Sequence, residues 1–152
     1  SAVIDSTLAL CQEKFKKHGV DLRRGEIPEA FLRCRSVQIS QVILNLLNNA
    51  FDAVCGLEEK WIQVEVRLVS GSVELSFTDS GSGVPVEVRH KIMQPFFTTP
   101  IGQGTGLGLS ISKGIIEDHG GTLKLDHNAQ KTRFVIMLPE AVVRAEKGIS
   151  AA

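Results

Sequence analysis

The sequence carries no net charge, because its 17 Lys and Arg offset its 17 Asp and Glu. There is no bulk basic field to hold nucleic acid or an anionic membrane surface. No apolar run approaches the ~20 residues of a membrane span, and no secretory signal pattern opens the chain. Cysteine is scarce and odd in number. Cys11, Cys34 and Cys55 lie far apart in apolar stretches, which predicts reduced core thiols in a cytosolic compartment and disfavours a disulfide frame, a zinc site or a redox role. Internal repeats and low-complexity linkers are absent. The 152 residues suffice for one domain with a real core.

The most informative stretch runs from Ser36 to Cys55. It lacks Gly and Pro, is rich in Leu, Ile, Val and Ala, and is long enough for about five helical turns. At about 100° per residue, Ile43, Leu44, Leu47, Ala50, Phe51 and Val54 share one broad apolar side. Gln41, Asn45, Asn49 and Asp52 share the opposite side, in a stripe roughly 80° wide. Solvated faces usually carry Lys and Glu, whereas Asn is a mediocre helix former. Asn45 and Asn49 in register, with Asn48 beside them, suggest a site. The competing reading is a polar helix face that pairs with nearby loops.

The remaining pattern predicts a helix over 2–18, with Ile4, Leu8, Cys11 and Phe15 as its apolar stripe and Gly19 as its stop. Short strands are expected at 20–24 and 31–34. The central helix should have Ser36 as N-cap and Gly56 as stop. Residues 61–69 and 73–78 read as a hairpin around Ser70, Gly71 and Ser72. A short helix is expected over 86–93, a loop over 94–106 and a helix over 107–118, stopped by Gly120 and Gly121. Strands over 122–126 and 133–138 close the fold. This order gives an α/β (α+β) two-layer sandwich, in which three main helices cover one face of a mixed, largely antiparallel sheet. Residues 1–144 form the expected domain and 145–152 a flexible tail.

Two glycine-rich segments stand out. In the first, Asp79, Gly81, Gly83 and Pro85 follow a strand. Gly81 and Gly83 allow close backbone approach, and the Asp79 carboxylate, an acceptor only, suits an exocyclic amine such as that of adenine. A plain Asp-Gly turn is the alternative. In the second, Gly102, Gly104, Gly106 and Gly108 alternate into a helix, where backbone N–H groups can bind phosphate. A hinge without ligand is the alternative. No Gly-Lys-Ser/Thr follows, so it is not a P-loop, and no βαβ unit contains it.

Taken together, these segments resemble the catalytic, ATP-binding domain of a bacterial sensor histidine kinase, a member of the GHKL superfamily with DNA gyrase, MutL proteins and heat-shock chaperone ATPases. The resemblance covers about residues 4–139. Gln41 to Ala50 resembles the N box, Asp79 to Pro85 the first glycine box, Gln94 to Thr99 the F box and Gly104 to Ser110 the second glycine box. Ile115 to Gly121 resembles the segment that ends the last large helix. The resemblance implies that Asn49 ligates Mg²⁺ on the ATP phosphates, with Asn45 close by. It implies that Asp79 binds the adenine amine, with Gly83 and Thr132 lining the base pocket. Residues 94–106 would be the glycine-rich ATP lid, with Gly104, Gly106 and Leu107 offering N–H groups to phosphate. ATP contacts are further implied for Asp52, Ala53, Gly81, Phe97, Thr98, Thr105 and Gly108. Phe96 and Phe97 would pack the lid base, or equally serve as plain core. His119 reads as structural, at a helix end.

The implied reaction is transfer of the γ-phosphoryl group of Mg-ATP to a histidine on a separate dimerisation hairpin of the parent chain, for two-component signalling. Hydrolytic relatives carry a Glu where this chain has Asn45, which cannot act as a base, so the resemblance favours kinase over ATPase. His18, His90, His119 and His127 lack a His-Glu-x-x-x-Pro context, so the acceptor is expected upstream, in a longer protein. The implied partners are that hairpin and a response regulator receiver domain, without nucleic acid or membrane contact, and the domain is expected to be a cytoplasmic monomer. An anti-sigma-type serine kinase shares these boxes, and a degenerate nucleotide-binding interaction module is the non-enzymatic alternative. One departure is local. Many relatives read Phe-Phe-Thr-Thr-Lys-Pro, but here Thr99 precedes Pro100 directly, and no Lys or Arg occurs from Gln94 to Ser110. Asp52 stands where many relatives carry a Lys. Modest ATP affinity and a mobile lid are the expectation.

Overall fold

The computed structural model describes residues 2–95, 97, 108–139 and 141–143. Helix α1 spans Ala2–Lys17 and buries the predicted stripe Ile4, Leu8, Cys11 and Phe15, together with Thr7. Thr7 Oγ1 donates to Val3 O at 2.6 Å and lies 2.8 Å from Ser40 Oγ, so its hydroxyl is satisfied inside the core. The helix ends in a Schellman motif. Gly19 sits at φ +71, its N–H meets Lys16 O, and Val20 N–H meets Phe15 O. Val20 itself is buried.

Helix α2, Ser36–Val54, buries Ile39, Val42, Ile43, Leu46, Leu47, Ala50, Phe51 and Val54. The contacts Thr7–Ser40 and Phe15–Phe51, the latter stacked at 5.2 Å, advance together along both chains, so α1 and α2 run parallel. Two expected boundaries are corrected. Ser36 is the first helical residue and Arg35 is the N-cap, without a side-chain cap bond. The helix closes on Cys55 in the αR region, and Gly56 is not among the positive-φ glycines.

Strands β1 (Asp21–Arg24), β3 (Trp61–Val69), β4 (Ser72–Asp79), β5 (Thr122–Leu125) and β6 (Arg133–Leu138) form one sheet, in the order β1-β3-β4-β6-β5. Only β1–β3 is parallel. The sheet is mixed and largely antiparallel, as expected. Ser70 (φ +50) and Gly71 (φ +78) turn β3 into β4, a backbone that suits a two-residue hairpin. The inward side chains, including Ile62, Val64, Leu75, Phe77 and Ile136, are buried under the helices. Helix α3, Gly108–Asp118, packs on α2 and β5. It ends in a second Schellman motif at Gly120, φ +77.

Several local expectations are corrected. Residues 86–93 hold a single 3₁₀ turn, Val86–Val88, with no buried residue. The run still packs on the core, with Ile92 buried and Val88 and Met93 partly buried, but a single turn is too short to sustain an α-helix. The strand expected at 31–34 is Ala30–Phe31 (β2), paired antiparallel with Val142–Val143 (β7) among the described residues, a pairing the sequence reading missed. Of the three thiols only Cys11 is buried. Cys34 is half-buried and Cys55 exposed, since Cys55 leaves the apolar stripe at the helix end. The expected tail, and most of the lid segment, lie outside the described residues.

Candidate functional site

The register of the central strands builds the site. In the β4–β6 ladder, Thr78 pairs with Arg133. One step further, Asp79 N–H donates to Thr132 O at 3.0 Å, so the two side chains share the helix-facing end of the sheet. Asp79 is 3% exposed. Its Oδ1 accepts from Gly81 N–H at 2.8 Å, and the hydroxyl of Thr132 bonds to the same carboxylate. Burial pushes the carboxyl up to about 6, against the lowering pull of Gly81, Thr132 and Lys131. A buried charge costs free energy unless well paired, so this acid is held ready for a further hydrogen-bond donor.

Gly81 closes the wall around it. A Cβ there would come 2.7 Å from Asp79 Oδ1, 3.7 Å from Ala53 Cβ and 3.7 Å from Thr132 Oγ1. Asp79, Gly81, Thr132 and Ala53 therefore converge, and a side chain at 81 would fill the cradle. Gly83 sits at φ +92, in the region that favours glycine. Ser80 fixes the neighbouring turn. Its Oγ accepts from Trp61 N–H at 3.0 Å and donates to Glu59 O at 2.8 Å.

Helix α2 supplies the second wall. Asn45 is half-buried, whereas Gln41, Asn48, Asn49, Asp52 and Ala53 are exposed. Asn45 Nδ2 donates to Ser112 Oγ at 3.2 Å and lies 3.5 Å from Gly108 O. A carbonyl only accepts, so this contact fixes the amide orientation and turns Oδ1 the other way. Asn45 thus ties α2 to the N-terminal turn of α3, beside Gly108. Phe97 packs partly buried against the core. Thr98, Gly104, Thr105, Gly106 and Leu107 lie outside the described residues. Among the described residues no group of three or more His, Cys, Asp or Glu could hold a metal ion. The donors available are amide oxygens, which suit a hard cation that keeps water and phosphate oxygens as its other ligands.

Sequence reasoning missed Ser112, fully buried, and Lys131, which lowers the Asp79 carboxyl and lies 3.4 Å from Ser80 O. The signals were a small residue one turn into α3 and the residue before Thr132. Both need the tertiary pairing to be seen.

The sequence profile of the family described as histidine kinase-, DNA gyrase B-, and HSP90-like ATPase matches residues 34–142. The chain belongs to this family. Among curated relatives, the C4-dicarboxylate transport sensor protein DctB of Rhizobium meliloti (strain 1021) is 33% identical over 141 residues, covering 91% of this chain and 22% of DctB. The chain thus spans less than a quarter of that relative's length. Among solved structures, the catalytic domain of histidine kinase ThkA aligns with TM-score 0.76 and 32% identity, over 91% of each chain. ThkA in complex with the response regulator protein TrrA aligns with TM-score 0.75, over 91% of this chain and 40% of that one. The two-layer architecture is that of histidine kinase catalytic domains in this ATPase family. Among the described residues no helix is long and apolar enough to cross a membrane.

Proposed function

We propose that residues 1–144 form the catalytic domain of a sensor histidine kinase, which binds Mg-ATP and donates its γ-phosphoryl group to a histidine on a dimerisation hairpin of the same parent chain. The observation that carries this reading is the buried Asp79 carboxylate, flanked by Gly81, Ala53 and Thr132. An ionised carboxylate, an acceptor only, suits the exocyclic amine of adenine. Gly83, at φ +92, would let the backbone pass close to the base, and Thr132 orients the carboxylate.

At the phosphate end, α3 begins at Gly108 beside Asn45. Its N-terminal N–H groups suit phosphate oxygens. Asn49, with Asn45 beside it, would hold Mg²⁺ by amide oxygen, and Asp52 would contact the nucleotide from the same face. The ion supplies charge neutralisation on the phosphates. The protein's part is positioning, which is what phosphoryl transfer asks of it. Gly104, Thr105, Gly106 and Leu107, with Thr98, would cover the phosphates as a lid.

Asn45 cannot take a proton from water, which favours transfer to a protein acceptor over hydrolysis. The relative ThkA is solved with a response regulator, and the same class of partner is proposed here, downstream of the hairpin. The reading is tested with labelled ATP. The chain alone should stay unlabelled, and a supplied acceptor hairpin from its own parent should gain an acid-labile label. Stable labelling of the chain by itself would contradict it.

A further inference from the structure

Away from the Asp79 recess, a cleft of about 260 Å³ opens between residues 89–93, α3 and β5. Its charged lining is entirely basic, Arg89, Lys113 and Lys124, with His90 and His127 beside them and no Asp or Glu. Ile92 and Leu123, both buried, form its floor. In a chain of zero net charge, this is a local segregation of cations. Of the neighbouring carboxylates, Asp126 pairs with Arg133 at 3.0 Å, and Glu117 reaches the rim, 3.8 Å from the lining Lys113. Among the described residues, His90, Lys124 and His127 enter no ion pair.

We propose that this cleft docks a carboxylate-rich segment of the response regulator, with one apolar side chain seated on Ile92 and Leu123 between its anionic groups. The choice of partner rests on the kinase reading above; the cleft chemistry does not. The volume holds one or two side chains and is below the range of drug-sized ligand pockets. The chain has no extended basic field of the kind that holds membranes or nucleic acid. A few fixed cations around an apolar floor instead suit a protein segment, giving orientation and association rate. Position adds to this. Residues 89–93 lead into the segment expected to form the lid, and Lys113 lies on the helix whose first residue, Gly108, adjoins Asn45. A partner seated in the cleft would stand next to the phosphate end of the site.

The test uses the full-length parent kinase without nucleotide and its labelled cognate response regulator, with binding read by fluorescence anisotropy across a KCl series. The double substitution Lys124→Glu with His127→Glu should weaken binding by about tenfold or more and flatten its salt dependence, while Mg-ATP affinity stays unchanged. Equal regulator affinity and equal salt slope in the two proteins would overturn the proposal, as would no binding by the parent kinase. If the Glu pair disturbs Mg-ATP binding, the milder Lys124→Gln with His127→Gln decides, with the same expected direction. Binding to phosphatidylglycerol vesicles that the substitutions abolish, with regulator binding intact, would assign the cleft to a membrane surface and likewise overturn it. Because nucleotide is absent, failure of the kinase reading shows separately, as loss of ATP binding by the unmodified chain.

Discussion

The backbone N–H of Arg35, at the start of α2, donates to Nε2 of His119, at the end of α3, over 3.1 Å. The other ring nitrogen, Nδ1, lies 2.7 Å from Ile115 O. An N–H only donates and a carbonyl only accepts, so Nε2 carries no proton and Nδ1 does. Helix α2 lacks a side-chain cap of its own; the imidazole of another helix satisfies its N-cap amide. The same two helices meet again at Asn45 and Ser112. His119 is therefore structural, as the sequence suggested, joining the end of α3 to the start of α2.

His119→Ala should cost about 1–2 kcal/mol of stability through two lost hydrogen bonds. Hydrogen exchange at the Arg35 amide should accelerate well before that at Leu46. Unchanged protection at Arg35 would show that the imidazole does not cap α2.

Asp79 gives a pH prediction. Its folded carboxyl is raised from 3.8 to about 6 by burial. A raised acid favours the folded state while protonated. Its contribution is complete below pH 3.8 and is lost as pH rises to about 6. Above that, ionised Asp79 costs the nucleotide-free fold about 3 kcal/mol. Asp79→Asn should thus raise the melting temperature of the nucleotide-free chain at pH 7.5. A melting temperature equal to or below that of the parent chain would refute the burial cost. Nucleotide binding should move the opposite way with pH. Because the adenine amine needs the ionised acceptor, affinity should fall as pH drops below about 6.

Gly81 and Gly121 separate site from scaffold. A Cβ at Gly121 would come 2.2 Å from Met137 O and 3.1 Å from Ile116 and Leu138. Gly121→Ala should destabilise by about 1–3 kcal/mol without altering ATP affinity of the folded fraction. Gly81→Ala, whose Cβ meets Asp79 Oδ1, should cut ATP affinity about tenfold or more, with a smaller drop in melting temperature. Equal effects of both on affinity would dissolve the proposed cradle.

The lid prediction rests on sequence alone. No Lys or Arg occurs from Gln94 to Ser110, and a charge-assisted hydrogen bond is worth ~1.5–3 kcal/mol. Inserting a Lys between Thr99 and Pro100 should tighten Mg-ATP binding. If the parent chain already binds tightly and the insertion changes nothing, another cation serves the phosphates.

Elements with a strong period were legible beforehand. The Ile4, Leu8, Cys11, Phe15 stripe and the apolar side of α2 name their own helices, and Gly19 and Gly120 name their stops. Asp79 was legible from its glycine neighbours. Thr132 was expected only through family likeness, as lining the base pocket, and its bond to Asp79 was not expected, since the β4–β6 register that joins them is not written in local spacing. Ser112 and Lys131 were missed for the same reason. Residues 86–93 misled, because the helix-like run after Pro85 buries Ile92 through one 3₁₀ turn and successive tight turns, without a continuous helix. Two-residue strands such as β2 and β7 carry no period at all.

The central claim is that Asp79 holds the adenine of Mg-ATP. Titration calorimetry at pH 7.5 tests it directly, comparing the unmodified chain with Asp79→Asn in the presence of Mg²⁺. The account predicts measurable binding of an ATP analogue by the unmodified chain, and a loss of at least about tenfold in the variant, from a charge-assisted bond replaced by an amide. Equal affinities, in a variant that remains folded, would contradict it.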